Sequence, residues 1–103
     1  MTKSLKEGKV VKIPDVETIA DGIAIKRPSP LTFDITKRLV DGVVLVDDEE
    51  ITNAIFMLLE RSKQVTEPAG AVELAALLSG KIYVNRKSLC GNKRWEHRHV
   101  YAL

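Results

Sequence analysis

"DDEEITNAIFMLLERSK", residues 47–63, carries the clearest structural signal in this 103-residue chain. Its apolar residues recur at intervals of three and four, which predicts an amphipathic helix with one buried stripe: Ile51, Ala54, Ile55, Leu58 and Leu59. Carboxylates at 47–50 begin the segment, and Arg61 and Lys63 end it, as the helix dipole favours. We therefore interpret residues 47–50 as stabilising the helix end, and we assign no metal site to them.

The segments on either side of this helix predict an α/β arrangement. "VVLV", residues 43–46, is a short apolar run typical of a parallel strand that is buried on both faces. "EPAGAVELAALLSGK", residues 67–81, predicts a second helix capped by Gly80. Only Glu73 is charged between 69 and 78, so this helix should be buried nearly all round. So short a chain leaves too little protein to cover it, which is the first indication of a fragment.

The N-terminal part of the chain predicts one more strand and one more helix. The strand is expected at 10–13 and is followed by irregular structure at 16–30. A short helix then begins near Pro30 and stops at Gly42, with three apolar residues on one face: Leu31, Ile35 and Leu39. The order strand, helix, strand, helix, helix is typical of part of an α/β sandwich.

Composition limits the function classes without choosing one. A mass of 11.5 kDa allows one domain at most, and a net charge of +2 indicates no particular partner. A single cysteine excludes an internal disulfide and favours a reducing, cytoplasmic setting. No apolar run reaches the roughly 18 residues of a membrane span, and residues 1–12 lack the apolar centre of a signal peptide.

Three motifs stand in an order and spacing that resemble a known family. They are "TIADGIAIKRP" at 18–28, "LVDGVVLVDDEEI" at 39–51 and "EPAGAVELAALLSGK" at 67–81. From about Ser4 to Lys81 the chain resembles the threonine dehydratases (threonine ammonia-lyases), which are pyridoxal-phosphate enzymes of fold type II. The resemblance implies a partial three-layer sandwich of short parallel strands with two or three helices. Serine racemase and serine dehydratase, in the same group, remain alternatives.

The resemblance also implies two cofactor-binding residues. The glycine of the "ADG" motif is Gly22, where the family's backbone passes close to the cofactor ring, and the acid of "EPAGA" is Glu67, near the ring hydroxyl and pyridine edge. The residues alone also permit plainer interpretations. Gly22 could be a turn glycine that needs positive φ, and Glu67 a helix-start carboxylate before Pro68. No catalytic residue and no metal ligand is assigned.

Other family features have no counterpart in the sequence. None of the ten lysines stands in the family's "SFKxRGA" context, and the six glycines are scattered singly, without a phosphate-binding cluster. We therefore interpret residues 1–81 as a C-terminal part of a catalytic domain whose parent deaminates L-threonine to 2-oxobutyrate and ammonia. We expect the chain alone to be inactive and to bind no pyridoxal phosphate. Its expected partners are other copies of itself or an upstream part of the same enzyme, with no membrane.

Residues 82–103 form a divergent basic tail for which three interpretations compete. Cys90, His97 and His99 give a C-x6-H-x-H pattern, which lacks a fourth ligand for structural zinc. Cations beside Trp95 and Tyr101 allow a small nucleic-acid-binding or interaction module, although such cations are more often only solvated. The third interpretation is a frameshift.

The frameshift hypothesis follows from the codons that the tail permits. Residues 92–99 can be encoded so that reading one nucleotide later gives I-S-G-G-N-I-D-M, which contains the "SGGN" that the family carries after this point. Codons permitted for 87–91 likewise give R-V-F-V-V, an apolar strand. We therefore predict a one-nucleotide frameshift near Arg86, and nucleotide sequence without such a shifted reading would refute it.

Overall fold

The computed structural model describes residues 1–83. That range contains four α-helices and a short 3-10 helix at Asp21–Ile23. The α-helices are α1 (Thr2–Glu7), α2 (Pro30–Leu39), α3 (Asp48–Ser62) and α4 (Pro68–Leu78). The described residues divide into two compact units, the first formed by Met1–Glu17 with Ala24–Val43 and the second by Thr18–Ile23 with residues 44–83.

The first unit begins with a helix that the sequence patterns did not predict. α1 ends at Gly8, which adopts a left-handed conformation (φ 72°) that glycine takes without steric cost. The predicted strand at 10–13 is not present. Instead, the Val11 N–H donates to the buried Ser4 hydroxyl at 2.9 Å and the Ile13 N–H donates to the Lys26 carbonyl at 2.8 Å. Individual hydrogen bonds therefore hold this segment, without a ladder.

The helix predicted near Pro30 is confirmed, although its end differs from the prediction. Ser29 caps α2 by accepting from the Thr32 N–H at 3.1 Å, and Pro30 follows in the first turn. The helix ends at Leu39, before Gly42, because Val40 leaves it in an extended conformation with φ −97° and ψ 127°. Gly42 is therefore not the stop.

The second unit is built on the packing of α3 against α4. Both helices were predicted from the sequence, and their buried residues form one small core: Ala20, Ile51, Ala54, Leu58, Ala71 and Ala75. A capping box begins α3, in which the Asp47 carboxylate accepts from the Glu50 N–H and the Glu50 carboxylate accepts from the Asp47 N–H, each at 2.8 Å. This confirms the end-stabilising role predicted for residues 47–50. Among the described residues no cluster of acidic, histidine or cysteine side chains could hold a metal ion.

The predicted strand at 43–46 is not formed within residues 1–83, where Thr66 alone has a β-bridge. A strand needs a neighbour to accept and donate its backbone hydrogen bonds. Val43, Val44 and Leu45 remain exposed. In α4, Gly70, Ala71, Ala75 and Ala76 are buried while Glu73 and Leu78 are exposed, so the helix is covered on one side only. None of the helices described is long and apolar enough to cross a membrane.

Candidate functional site

Gly22 lies against the first turn of α4. It sits in the 3-10 helix Asp21–Ile23, where the Ile23 N–H donates to the Ala20 carbonyl at 3.1 Å. Its φ is not positive, so the interpretation of Gly22 as a left-handed turn glycine is wrong. A Cβ added to Gly22 would stand 3.3 Å from the Ala69 Cβ, tighter than most carbon contacts. An alanine at this position would require Ala69 to move by a few tenths of an ångström, so the loop packs closely on the first turn of α4.

Glu67 stands at the start of α4. It is the N-cap residue, with extended φ −68° and ψ 153°, and Pro68 follows at the first helical position. Its side chain is half-buried and makes no capping hydrogen bond, so the helix-start position is confirmed while a capping role is not. Because Gly22 contacts Ala69, two residues after Glu67, the structure brings both predicted residues to the same end of α4.

The loop before Gly22 is tied to α3 by a carboxylate. The Thr18 hydroxyl donates to Asp48 Oδ1 at 2.5 Å, and the Ile19 N–H lies 3.3 Å from each Asp48 carboxylate oxygen. The Ala20 N–H donates in turn to the Thr18 hydroxyl at 3.2 Å, and Ala20 is buried in the core between the helices. Sequence reasoning assigned Asp48 only a helix-end role and missed this anchor.

A second polar connection joins the end of α4 to the start of α3. The Lys81 ammonium donates to the Leu45 carbonyl at 3.0 Å and to Glu50 Oε2 at 2.7 Å. The hydrogen bond from Lys81, followed by that from the Asp47 N–H, holds the pKa of Glu50 below its usual value. This connection fixes residue 45 relative to α3, and no sequence pattern indicated it.

These residues suit one wall of a pyridoxal-phosphate site and not a whole one. Gly22 carries no side chain and packs against Ala69, and the Glu67 carboxylate at the same helix end suits the polar edge of a nitrogen heterocycle. A phosphate cradle needs several adjacent N–H groups, usually from a glycine-rich loop, and the glycines of this chain are scattered singly. The residues of this chain therefore fit only part of such a site.

Comparison with known proteins identifies the family. The family model for pyridoxal-phosphate dependent enzymes matches residues 1–92. The L-threonine ammonia-lyase of Geobacter sulfurreducens is 52% identical over 88 residues, which are 84% of this chain and 22% of that protein. Among solved structures, the T.th. threonine deaminase is similar with a TM-score of 0.74 and 36% identity, over 78% of this chain and 27% of that one.

Maize serine racemase is also similar, with a TM-score of 0.72 and 40% identity over 78% of this chain and 25% of that chain. These likenesses fit a fragment of an α/β enzyme of fold type II. The chain spans about a quarter of the length of the relatives it matches, from 22% to 27% in these three comparisons. The matching motifs, the helix pair and the family model agree: the chain belongs to the pyridoxal-phosphate dependent enzyme family.

Proposed function

We propose that the chain is a C-terminal segment of the catalytic region of a threonine dehydratase, whose complete form deaminates L-threonine to 2-oxobutyrate and ammonia. The observation that carries this proposal is that the Gly22 loop packs against the first turn of α4, at the end of that helix where Glu67 stands. Relatives named for threonine deamination support the substrate. A serine racemase or serine dehydratase is the second candidate, because maize serine racemase shares 40% identity with the chain.

In the complete enzyme, Gly22 and Glu67 would each have one task. Gly22 would let the flat ring of the cofactor lie against the backbone, because glycine puts no side chain between the backbone and the ring. Glu67 would accept a hydrogen bond at the polar edge of the ring and so fix its orientation. Bound pyridoxal phosphate supplies the electron sink that makes the α-proton of an amino acid acidic. The nucleophilic lysine and the phosphate cradle would come from residues outside this sequence.

The exposed apolar segment at 43–46 supports the finer prediction of a parallel sheet. We propose that in the complete enzyme this segment is a strand of a three-layer sandwich, paired with strands from an upstream part of the same enzyme. Val43, Val44 and Leu45 would then be covered, and the backbone groups of the segment would gain partners. Residues 1–81 would form the C-terminal part of the catalytic domain. Alternatively, other copies of the chain would associate with this segment and cover its exposed side chains.

The tail and the cellular location remain proposals of the same kind. Residues 84–103, which include most of the predicted frameshift region, lie outside the described residues. We retain the frameshift prediction, which the genomic nucleotide sequence around Arg86 would test. The zinc and nucleic-acid interpretations of the tail also lie outside the described residues. A cytoplasmic location is supported by the single cysteine and by the metabolic names of the relatives.

A graft tests the function directly. Residues 1–81 would replace the matching segment of the Geobacter sulfurreducens L-threonine ammonia-lyase, whose remaining chain supplies the lysine and the phosphate cradle. We expect the graft to bind pyridoxal phosphate and to form 2-oxobutyrate from threonine. Gly22→Ala should weaken cofactor binding, whereas Gly42→Ala should not, because a Cβ at Gly42 meets no atom within 4 Å.

Three results would contradict the proposal. A folded graft that is inactive on both threonine and serine would refute the assignment to this reaction. Activity on serine with none on threonine would favour the second candidate. The chain alone, mixed with threonine and pyridoxal phosphate, should form no 2-oxobutyrate, and its formation would show that the chain is catalytically sufficient.

A further inference from the structure

Asp48 has a function that helix capping does not explain. The carboxylate of the preceding residue, Asp47, already caps α3 by accepting from the Glu50 N–H at 2.8 Å. Asp48, at the first helical position, instead accepts from the Thr18 hydroxyl and the Ile19 N–H, which lie 30 and 29 residues away along the chain. The two neighbouring carboxylates therefore have different roles.

Three successive hydrogen bonds connect Asp48 to the turn that contains Gly22. Asp48 holds Thr18, the Thr18 hydroxyl accepts from the Ala20 N–H, and the Ala20 carbonyl accepts from the Ile23 N–H. Gly22 lies inside this last turn and faces Ala69. Thr18 and Asp48 are both half-buried, which limits competition from water for their short hydrogen bond.

We propose that Asp48, acting through Thr18, is a positioning residue that holds Gly22 against Ala69 and so fixes where Gly22 lies in the proposed cofactor site. This inference rests on the proposed function, because it assumes that Gly22 borders the cofactor. Asp48 does not touch that surface itself. Its effect is to fix the loop at residues 18–20, so that Gly22 stays packed against Ala69 in the first turn of α4.

The first test uses the full chain, isotopically labelled for NMR. In Asp48→Ala the Ile19 N–H loses a charged acceptor, so its amide exchange should accelerate about ten- to a hundredfold. In Thr18→Val the Ala20 N–H loses its hydroxyl acceptor, so its exchange should accelerate as well. The nuclear Overhauser effect between the Gly22 α-protons and the Ala69 methyl group should weaken. Thr18→Ser, which keeps the hydroxyl, should retain both the slow amide exchange and the Overhauser effect of the wild-type chain.

A matched control separates positioning from helix electrostatics. Glu49 lies in the same first turn of α3, carries the same charge and is exposed. Glu49→Ala therefore removes an equal interaction with the helix dipole but leaves the loop anchored. We expect it to change neither the exchange of Ile19 nor the contact of Gly22. If Asp48→Ala lowers the folded population as a whole, Thr18→Val decides the question, because it removes one hydroxyl and no charge.

Two NMR results would overturn the inference. One is an unchanged Gly22 contact in both Asp48→Ala and Thr18→Val. The other is an equal loss of amide protection throughout α3 and α4, since that would make Asp48 a general stabilising residue. Localised loss at residues 19–23 with intact protection in the helix core, at Ala54 and Ala71, is the result that supports it.

The second test measures the binding of pyridoxal phosphate by the graft described above. Titration with pyridoxal phosphate, followed by absorbance, should show about tenfold weaker binding for Asp48→Ala and no change for Glu49→Ala. Threonine KM at saturating cofactor should stay the same. If the unsubstituted graft is inactive, the proposed function is wrong, but the NMR test of the Asp48 anchor remains valid. If the graft is active and Asp48→Ala leaves its affinity for pyridoxal phosphate unchanged, this inference is wrong while the proposed function stands.

Discussion

Gly22→Ala tests the close approach on which the site depends. The new methyl would stand 3.3 Å from the Ala69 Cβ, whereas carbon atoms pack best at about 3.5–4.0 Å. Ala69 cannot rotate its methyl away, and it follows Pro68 in the first turn of a helix that packs on α3. Relief therefore requires a backbone shift of a few tenths of an ångström. Overpacking of this kind costs about 1–3 kcal/mol.

An opposing effect reduces the net cost. Replacing glycine by alanine at a position without positive φ narrows the unfolded ensemble and stabilises a protein by about 0.4–1 kcal/mol. Gly22 meets that condition. The difference leaves a net effect between about zero and a destabilisation of about 2.6 kcal/mol. In a chain of this size each kcal/mol lowers Tm by about 4–8 °C.

Urea and thermal unfolding of the full chain, followed by circular dichroism, would measure this change. Ala69→Gly removes the opposing methyl, so a double-mutant cycle with Gly22→Ala should give a favourable coupling of about 1–3 kcal/mol. Gly42→Ala is the matched control, because its Cβ meets nothing within 4 Å and its φ is not positive. If Gly22→Ala is as stable as Gly42→Ala and shows no coupling to Ala69, the close approach is refuted.

Three further changes test other parts of the second unit. Ile51→Ala should cost about 2–5 kcal/mol because Ile51 is buried in the helix core, whereas Phe56→Ala, at an exposed position on the same helix, should cost far less; urea midpoints compare them. Lys81→Met should destabilise the chain at neutral pH. Because the folded-state pKa of Glu50 is lowered, its contribution is present above the unfolded glutamate value of about 4.3 and is lost as pH falls through the folded pKa. The difference between wild type and Lys81→Met should therefore shrink in Tm measurements below about pH 4, and a constant difference would contradict the ion pair. Glu67→Ser gives α4 a capping hydroxyl that Glu67 does not supply, so the helix should remain folded by circular dichroism while cofactor binding in the graft weakens; unchanged cofactor binding would contradict the role proposed for Glu67.

The helices were predictable because their signals are local. α3 combines a capping box, a periodic apolar stripe and a basic end within residues 47–63, and α2 begins at a serine followed by proline. The sequence patterns did not predict α1. A glycine such as Gly8 is a typical helix terminus, and in the structure it adopts the left-handed conformation that ends α1. The segment at 43–46 has strand composition, but a strand also needs a neighbouring strand, which residues 1–83 do not provide.

The site was predictable only in part, for a reason of the same kind. The resemblance singled out Gly22 and Glu67, yet the physical role of Gly22 depends on Ala69, which is 47 positions later in the chain. The anchor between Thr18 and Asp48 and the connection between Lys81 and Leu45 also join distant residues. No local pattern encodes such pairs, because the fold alone decides which groups meet.

The distribution of small and large side chains links the fragment to its function. Within residues 1–83, five of the seven buried apolar residues are alanines, while bulky residues such as Leu39, at 76% exposed, and Leu45, at 66% exposed, face solvent. Alanine contributes little to hydrophobic stabilisation, so this core holds the second unit with a small margin. The same small residues let α4 lie close to α3 and let the Gly22 loop reach Ala69. A core of larger residues would hold these elements further apart and break the close approach of Gly22 to Ala69. The packing that makes residues 1–83 weakly stabilised is therefore what shapes the surface proposed for the cofactor, and the exposed leucines and valines are where the rest of the enzyme would supply the missing stability.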